Sequence, residues 1–183
     1  MSPTPRKPAE ERTFIAVRVE SYHVSASAGI NPNLLGIYAK NIRPEDSVFQ
    51  STTQLEMLGV CTDPKVRTGH QFQITVYEGT PSRTGLRVKD THARDKNNEL
   101  QYQTRQGTHY PVCNLPQGLA VLERRRGDDV WTARVPVEPN LVTQMLILLG
   151  QGRPTYLSIH EKKVGRYRWI RHISLQTTDP ATE

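Results

Sequence analysis

Residues 70–78 read HQFQITVYE, and their alternation decides the fold. Phe72, Ile74 and Val76 fall on one side of an extended chain, Gln73, Thr75 and Tyr77 on the other. Successive strand side chains point to opposite faces, so one face of this segment meets a core and the other meets water. The same period runs outward in both directions. On the N-terminal side, Ile15, Val17 and Val19 alternate with Arg18 and Glu20 within residues 13–24. Residues 34–42 (LLGIYAKNI) and 48–62 (VFQSTTQLEMLGVCT) are further strand candidates. In the second, Leu55 and Met57 share one parity while Leu58 and Val60 take the other, which predicts a bulge near residues 57–59.

On the C-terminal side, residues 86–89 read as a short strand, 90–99 as a charged mobile loop, and 101–110 as an edge strand or extended loop. Residues 119–125 and 129–137 form a hairpin about Arg126-Gly127-Asp128, with Trp131, Ala133, Val135 and Val137 on its apolar face. A last hairpin pairs residues 155–161 with 166–176, turning at 163–165. One stretch breaks the period. In residues 140–149 the apolar positions are Leu141, Val142, Met145, Leu146, Leu148 and Leu149, which is one face of a helix. Pro139 suits its first turn and Gly150 its end.

Some eight strands with turns at short intervals predict a mainly β domain, an antiparallel sandwich or partly open barrel with one helix near 139–149. The short connections favour antiparallel pairing; α+β is the fallback description. The chain of 183 residues suits one domain over residues 13–176, with a disordered Pro-rich lead-in at 1–12 and a polar tail at 177–183. No apolar run approaches the ~20 residues needed to span a bilayer. The polar start has no secretory apolar segment, so no membrane and a cytoplasmic location are expected. Cys61 and Cys113 have no metal-site spacing and read as reduced thiols.

Formal net charge is +6 and the pI is near 9.5, a balance that favours acidic partners. The charge is concentrated. Lys162, Lys163, Arg166, Arg168 and Arg171 fall within ten residues that hold no acid, interleaved with Tyr167 and Trp169. Phosphates attract Lys and Arg, and exposed bases stack on aromatic faces, so this hairpin is a candidate nucleic-acid surface. A solvated basic strand face that protects an edge is the plainer reading. Arg171 shares parity with Trp169 and Ile173, so it points inward or to the sheet margin; pointing inward it needs a carboxylate or several carbonyls, and Glu161 on the other arm is the natural candidate. Arg124, Arg125 and Arg126 form a second basic cluster, diluted by Asp128 and Asp129.

A rival reading is enzymatic. Asp90, His92 and Asp95 make a D-x-H-x-x-D loop, the raw material of acid–base catalysis. Convergence of His92 with a second acid, His70 or His109 in a cleft would favour it. His160 and His172 can face each other across the last hairpin, but two ligands do not make a metal site. G-x-S-x-G, Walker A and G-x-G-x-x-G motifs are absent, and Gly150-Gln-Gly152 follows a helix instead of opening one. Neither a cofactor nor a metal is therefore expected. The leading expectation is a non-enzymatic binding or assembly domain, alone or as a subunit of a larger complex, that meets a nucleic-acid backbone through its basic hairpins. A protein–protein or homo-oligomerisation module is the third reading, signalled by an apolar patch around the helix or by unpaired strand edges.

Overall fold

The computed structural model describes residues 12–30, 48–79, 86–124, 127 and 129–181. Among these residues nine strands and one helix follow in the order β1 (Arg12–Ile30), β2 (Phe49–Asp63), β3 (Gln71–Glu78), β4 (Tyr102–Arg105), β5 (Thr108–Pro111), β6 (Ala120–Arg124), β7 (Val130–Val137), α1 (Pro139–Leu149), β8 (Tyr156–Val164) and β9 (Tyr167–Gln176). Seven strands close into a barrel in the order β1-β2-β3-β7-β6-β9-β8, while β4 and β5 form a separate ribbon. The mainly β reading with one helix therefore stands, and the barrel is closed. The strand candidate at 34–42, the lead-in up to residue 11, and Arg125 and Arg126 lie outside the described residues.

Alternation builds the core. Ile15 and Val17 of β1, Leu55 and Met57 of β2, and Phe72, Ile74 and Val76 of β3 are all at most 2% exposed. The registers align these strands side by side, with Leu55 opposite Val76 and Met57 opposite Ile74. Closing the sheet removes the edges of the inner strands and buries a continuous apolar interior. At one end of that interior sits α1. Its Val142, Met145 and Leu149 join the strand residues in one cluster, so the predicted helical stripe plugs the barrel.

Three local expectations are corrected. The switch of face expected in β2 does not occur: Leu55, Met57 and Cys61 stay buried and Leu58 is exposed. The register shifts lie instead between Ala16 and Val17, where Thr62 of β2 is skipped, and between Val19 and Ser21 of β1. Gly59 lets the strands meet there, since a Cβ on it would lie 2.3 Å from the Arg18 carbonyl oxygen. Residues 86–89 give no strand; Val88–Thr91 form a 3-10 turn. And β3 pairs with β7 in parallel, Phe72 beside Trp131, against the expected antiparallel pairing throughout. The reason is the order of docking: β3 ends and β6 begins near the same barrel end, β6 runs back beside β9, and β7 returns beside β3. The β6–β7 hairpin then docks with β7 running in the direction of β3.

Candidate nucleic-acid interface

Strand directions gather the basic turns. Arg124 of β6 lies beside Trp131 of β7, and Leu122 beside Arg168 of β9. Val164 pairs with Tyr167 across the last turn, and Gln71, the first residue of β3, pairs with Val130. The β6–β7 turn, the β8–β9 turn and the loop from Asp63 to His70 therefore share one barrel end. The helix α1 follows β7 and occupies the opposite end. The open end holds Lys65, Arg67, Arg124, Lys162, Lys163, Arg166 and Arg168, against the acids Asp63, Glu123, Asp129 and Glu161.

Beneath that rim is a buried ion network. The Glu161 side chain is 1% exposed and receives two hydrogen bonds from Arg67, Nη2 to Oε1 at 2.7 Å and Nη1 to Oε2 at 3.1 Å. Arg168 Nη1 donates to the same Oε1 at 2.6 Å. A charge this deep requires such pairing, and the two-pronged arginine geometry supplies it. The Arg67 guanidinium carbon also lies 4.6 Å from the Trp131 ring centre, and that of Arg168 5.9 Å. Cations over an indole face gain from its negative quadrupole. Trp131 stacks on Phe72 below, and its Nε1 donates to His70 Nδ1 at 3.3 Å. That bond needs His70 Nδ1 bare of a proton. The loop itself is pinned by backbone bonds from Gly69 to the Cys61 carbonyl and from His70 to the Arg67 carbonyl.

The outer rim is exposed. Lys65, Lys163 and Arg166 reach solvent. Arg166 lies over the Tyr167 ring at 4.9 Å and donates to its hydroxyl at 2.7 Å, while that ring is 43% exposed. Arg124 pairs with Asp129 across the β6–β7 turn and holds the Asp129 carboxyl below its usual range, chiefly by hydrogen bonding.

The last hairpin departs from simple alternation. An extra residue, Arg171, enters β9 between Ile170 and His172, where the register with β8 shifts. Below that bulge Ile173 and Leu175 are buried, and above it Ile170 is, so the buried face changes parity. The inward arginine is accordingly Arg168, and Glu161 is its partner. Arg171 is exposed and donates to the Gln117 carbonyl at 2.8 Å. Arg67 and Lys65 escaped sequence reading, and His70 entered it only as a possible partner of His92, because no periodicity marks which loop residue will fold under a barrel rim. Only the shared barrel end makes them neighbours of the hairpins.

The residues of the enzymatic reading lie elsewhere, in the excursion. Asp90 accepts from the Arg87 backbone N–H at 2.9 Å, and Asp95 Oδ1 accepts from those of Asn97 and Glu99. Both carboxylates thus order their own loop, while His92 forms a backbone bridge to Cys113. His109 contacts Thr104 on the β4–β5 ribbon at 3.1 Å, far from Trp131-bound His70 in chain connectivity and role. The His160 and His172 rings do face each other, edge on at 5.5 Å, with Phe14 against His160. Among the described residues no group of three or more His, Cys, Asp or Glu could hold a metal ion, and no helix is long and apolar enough to cross a membrane. Cys61 and Cys113 are free thiols. Beside α1, a groove of about 1050 Å³ runs between Leu141, Met145 and Leu148 and the strand residues Ile173 and Leu175. No family model matches the chain, and no curated protein or solved structure matches it either.

Proposed function

We propose that this chain is a non-enzymatic binding or assembly domain whose barrel end opposite α1 meets a nucleic-acid backbone. One observation supports the reading above the others: the basic β8–β9 turn and the Lys65–Arg67 loop, distant in sequence, share that end with Arg124 of β6. Phosphate recognition needs several cations spaced over one surface, and a single basic strand face would supply fewer. Lys65, Lys163 and Arg166 form the contact rim, with the Tyr167 ring available for stacking against a base. The Arg67–Glu161–Arg168 network lies behind as a rigid support, so the rim is ordered before binding. Contacts of this kind position a strand without reading its sequence.

The test is fluorescence anisotropy with a labelled mixed-sequence single-stranded oligonucleotide, titrated at increasing salt. Three to five phosphate contacts give a log–log slope of about −2 to −3.5. Lys65→Glu with Arg166→Glu weakens binding by roughly tenfold or more and flattens the slope. Absence of binding at low salt, or a slope near zero, overturns the reading.

A further inference from the structure

Among the described residues the barrel wall leaves one strand edge bare. β1 pairs with β8 only from Arg12 to Arg18, and a last backbone bond runs from Val19 N–H to the Thr155 carbonyl. Past that point residues 21–30 have β2 on one side and, among the described residues, no strand on the other. All ten are exposed. They read SYHVSASAGI, with no Lys, Arg, Asp, Glu or Pro. Exposed edges are ordinarily blunted by just those residues, or by a bulge that twists the edge away. Here the bulge, at Glu20, lies before the bare edge and leaves the ten residues that follow in unbroken register with β2.

Among the described residues the far part of this arm has little further strand pairing. β3 pairs with β2 only as far as Gln54, with one further bond from the Thr53 N–H to the Glu78 carboxylate at 3.2 Å, so, among the described residues, 27–30 and 49–52 have strand pairing only with each other. Such a ribbon of two strands is marginal in water without a further strand or a packed face. Its surface is apolar for its position: Tyr22 is 46% exposed, Ile30 50% and Phe49 73%.

We propose that residues 21–30 pair antiparallel with the same residues of a second copy of this chain, making a two-fold dimer with a sheet continuous from barrel to barrel. Three observations favour a second copy. An uncharged edge can face itself without placing like charges opposite one another. Two-fold pairing of a surface with itself is the commonest route to closed assembly. And charge placement allows it: Arg12 pairs with Lys162 at the basic end, while Ile30 lies at the other end of β1. Antiparallel pairing through the arm therefore holds the two basic ends far apart, beyond one Debye length of ~8–10 Å. Ten paired residues span about 33 Å, enough to bring each barrel up to the tip of the other's arm without overlap.

Sedimentation velocity of the full chain over roughly 1–100 μM, where mass action separates monomer from dimer, together with amide exchange, tests this. The expected result is a dimer, with alternate amides of residues 21–30 gaining protection as concentration rises. Val24→Lys with Ala26→Lys places like charges at the two-fold axis and shifts the dimer Kd upward by about tenfold or more, with an unchanged near-ultraviolet spectrum. Three outcomes overturn the proposal: a monomer with fast exchange at residues 21–30, which leaves the edge to another partner; a monomer with concentration-independent protection, which assigns it to this chain itself; and a dimer indifferent to both lysines.

Discussion

Replacing Glu161 by Gln removes one negative charge and almost no volume from beneath the basic rim. The consequence follows from burial. The Arg67 side chain is 8% exposed, and its guanidinium cannot shed its proton. Left without a counter-charge, it is an uncompensated buried cation, a loss of about 3–5 kcal/mol. Arg168 adds less, because its side chain is 25% exposed and can turn towards water. For a chain of this size about 2–4 °C of melting temperature accompanies each kcal/mol, so Tm should fall by about 6–20 °C. Thermal denaturation followed by circular dichroism measures it. Repeating the melt at about 0.5 M salt should leave the difference largely intact, since buried pairs are weakly screened. Exchanging all three members for apolar residues, Arg67→Met, Glu161→Leu and Arg168→Leu, should recover most of the loss, because desolvation of the ions disappears with them. A Glu161→Gln protein melting within about 2 °C of the parent would refute the reasoning, for the barrel end would then be wet.

Two other outcomes follow from the core and the strand crossing. Burial pushes the Cys61 thiol up to about 11 from an ordinary 9.0. The unfolded chain gives up this proton first, so folding stability should hold steady below pH 9 and fall as pH rises towards 11. Urea midpoints across that window should fall less steeply for Cys61→Ala, and equal slopes would dispose of the idea. Gly59→Ala puts a methyl group 2.3 Å from the Arg18 carbonyl oxygen and 2.8 Å from Val17 Cγ1, both in β1. It should destabilise by about 1–3 kcal/mol, whereas Gly29→Ala, with nothing within 4 Å, should stay within about 0.5 kcal/mol.

Periodicity exposed most of the wall. The strands at β3, β7 and β8 and the helix at Pro139–Leu149 were legible because each buries one face against the same core, which writes a period of 2 or 3.6 into the chain. Pairing was less legible. Nothing local says whether β6, antiparallel to β3, or β7, parallel to it, will lie beside that strand. Bulges mislead in the same way. One inserted residue, Arg171, exchanges the roles of Arg168 and its neighbours, and a parity count carried through it assigns the wrong arginine to Glu161. The basic hairpins were visible as composition; their assembly on one end was not, because coming together depends on strand direction. Arg67 was least visible, a loop residue whose burial is decided by Trp131 and Glu161, 64 and 94 positions away.

The two seams that turn the sheet into a barrel also set the order in which a growing chain can be protected. β1 meets β8 with Ile15 beside Ile159, and β3 meets β7 with Phe72 beside Trp131. The first three strands can form their meander as they emerge, yet both its margins stay open until partners far downstream have been synthesised. At 5–20 residues per second that interval lasts roughly 5–20 s. Throughout it the apolar sides of Ile15, Leu55 and Phe72 face water or whatever the cell offers, so yield in vivo should respond to translation speed and to chaperone supply more sharply than the finished barrel's thermodynamics would imply.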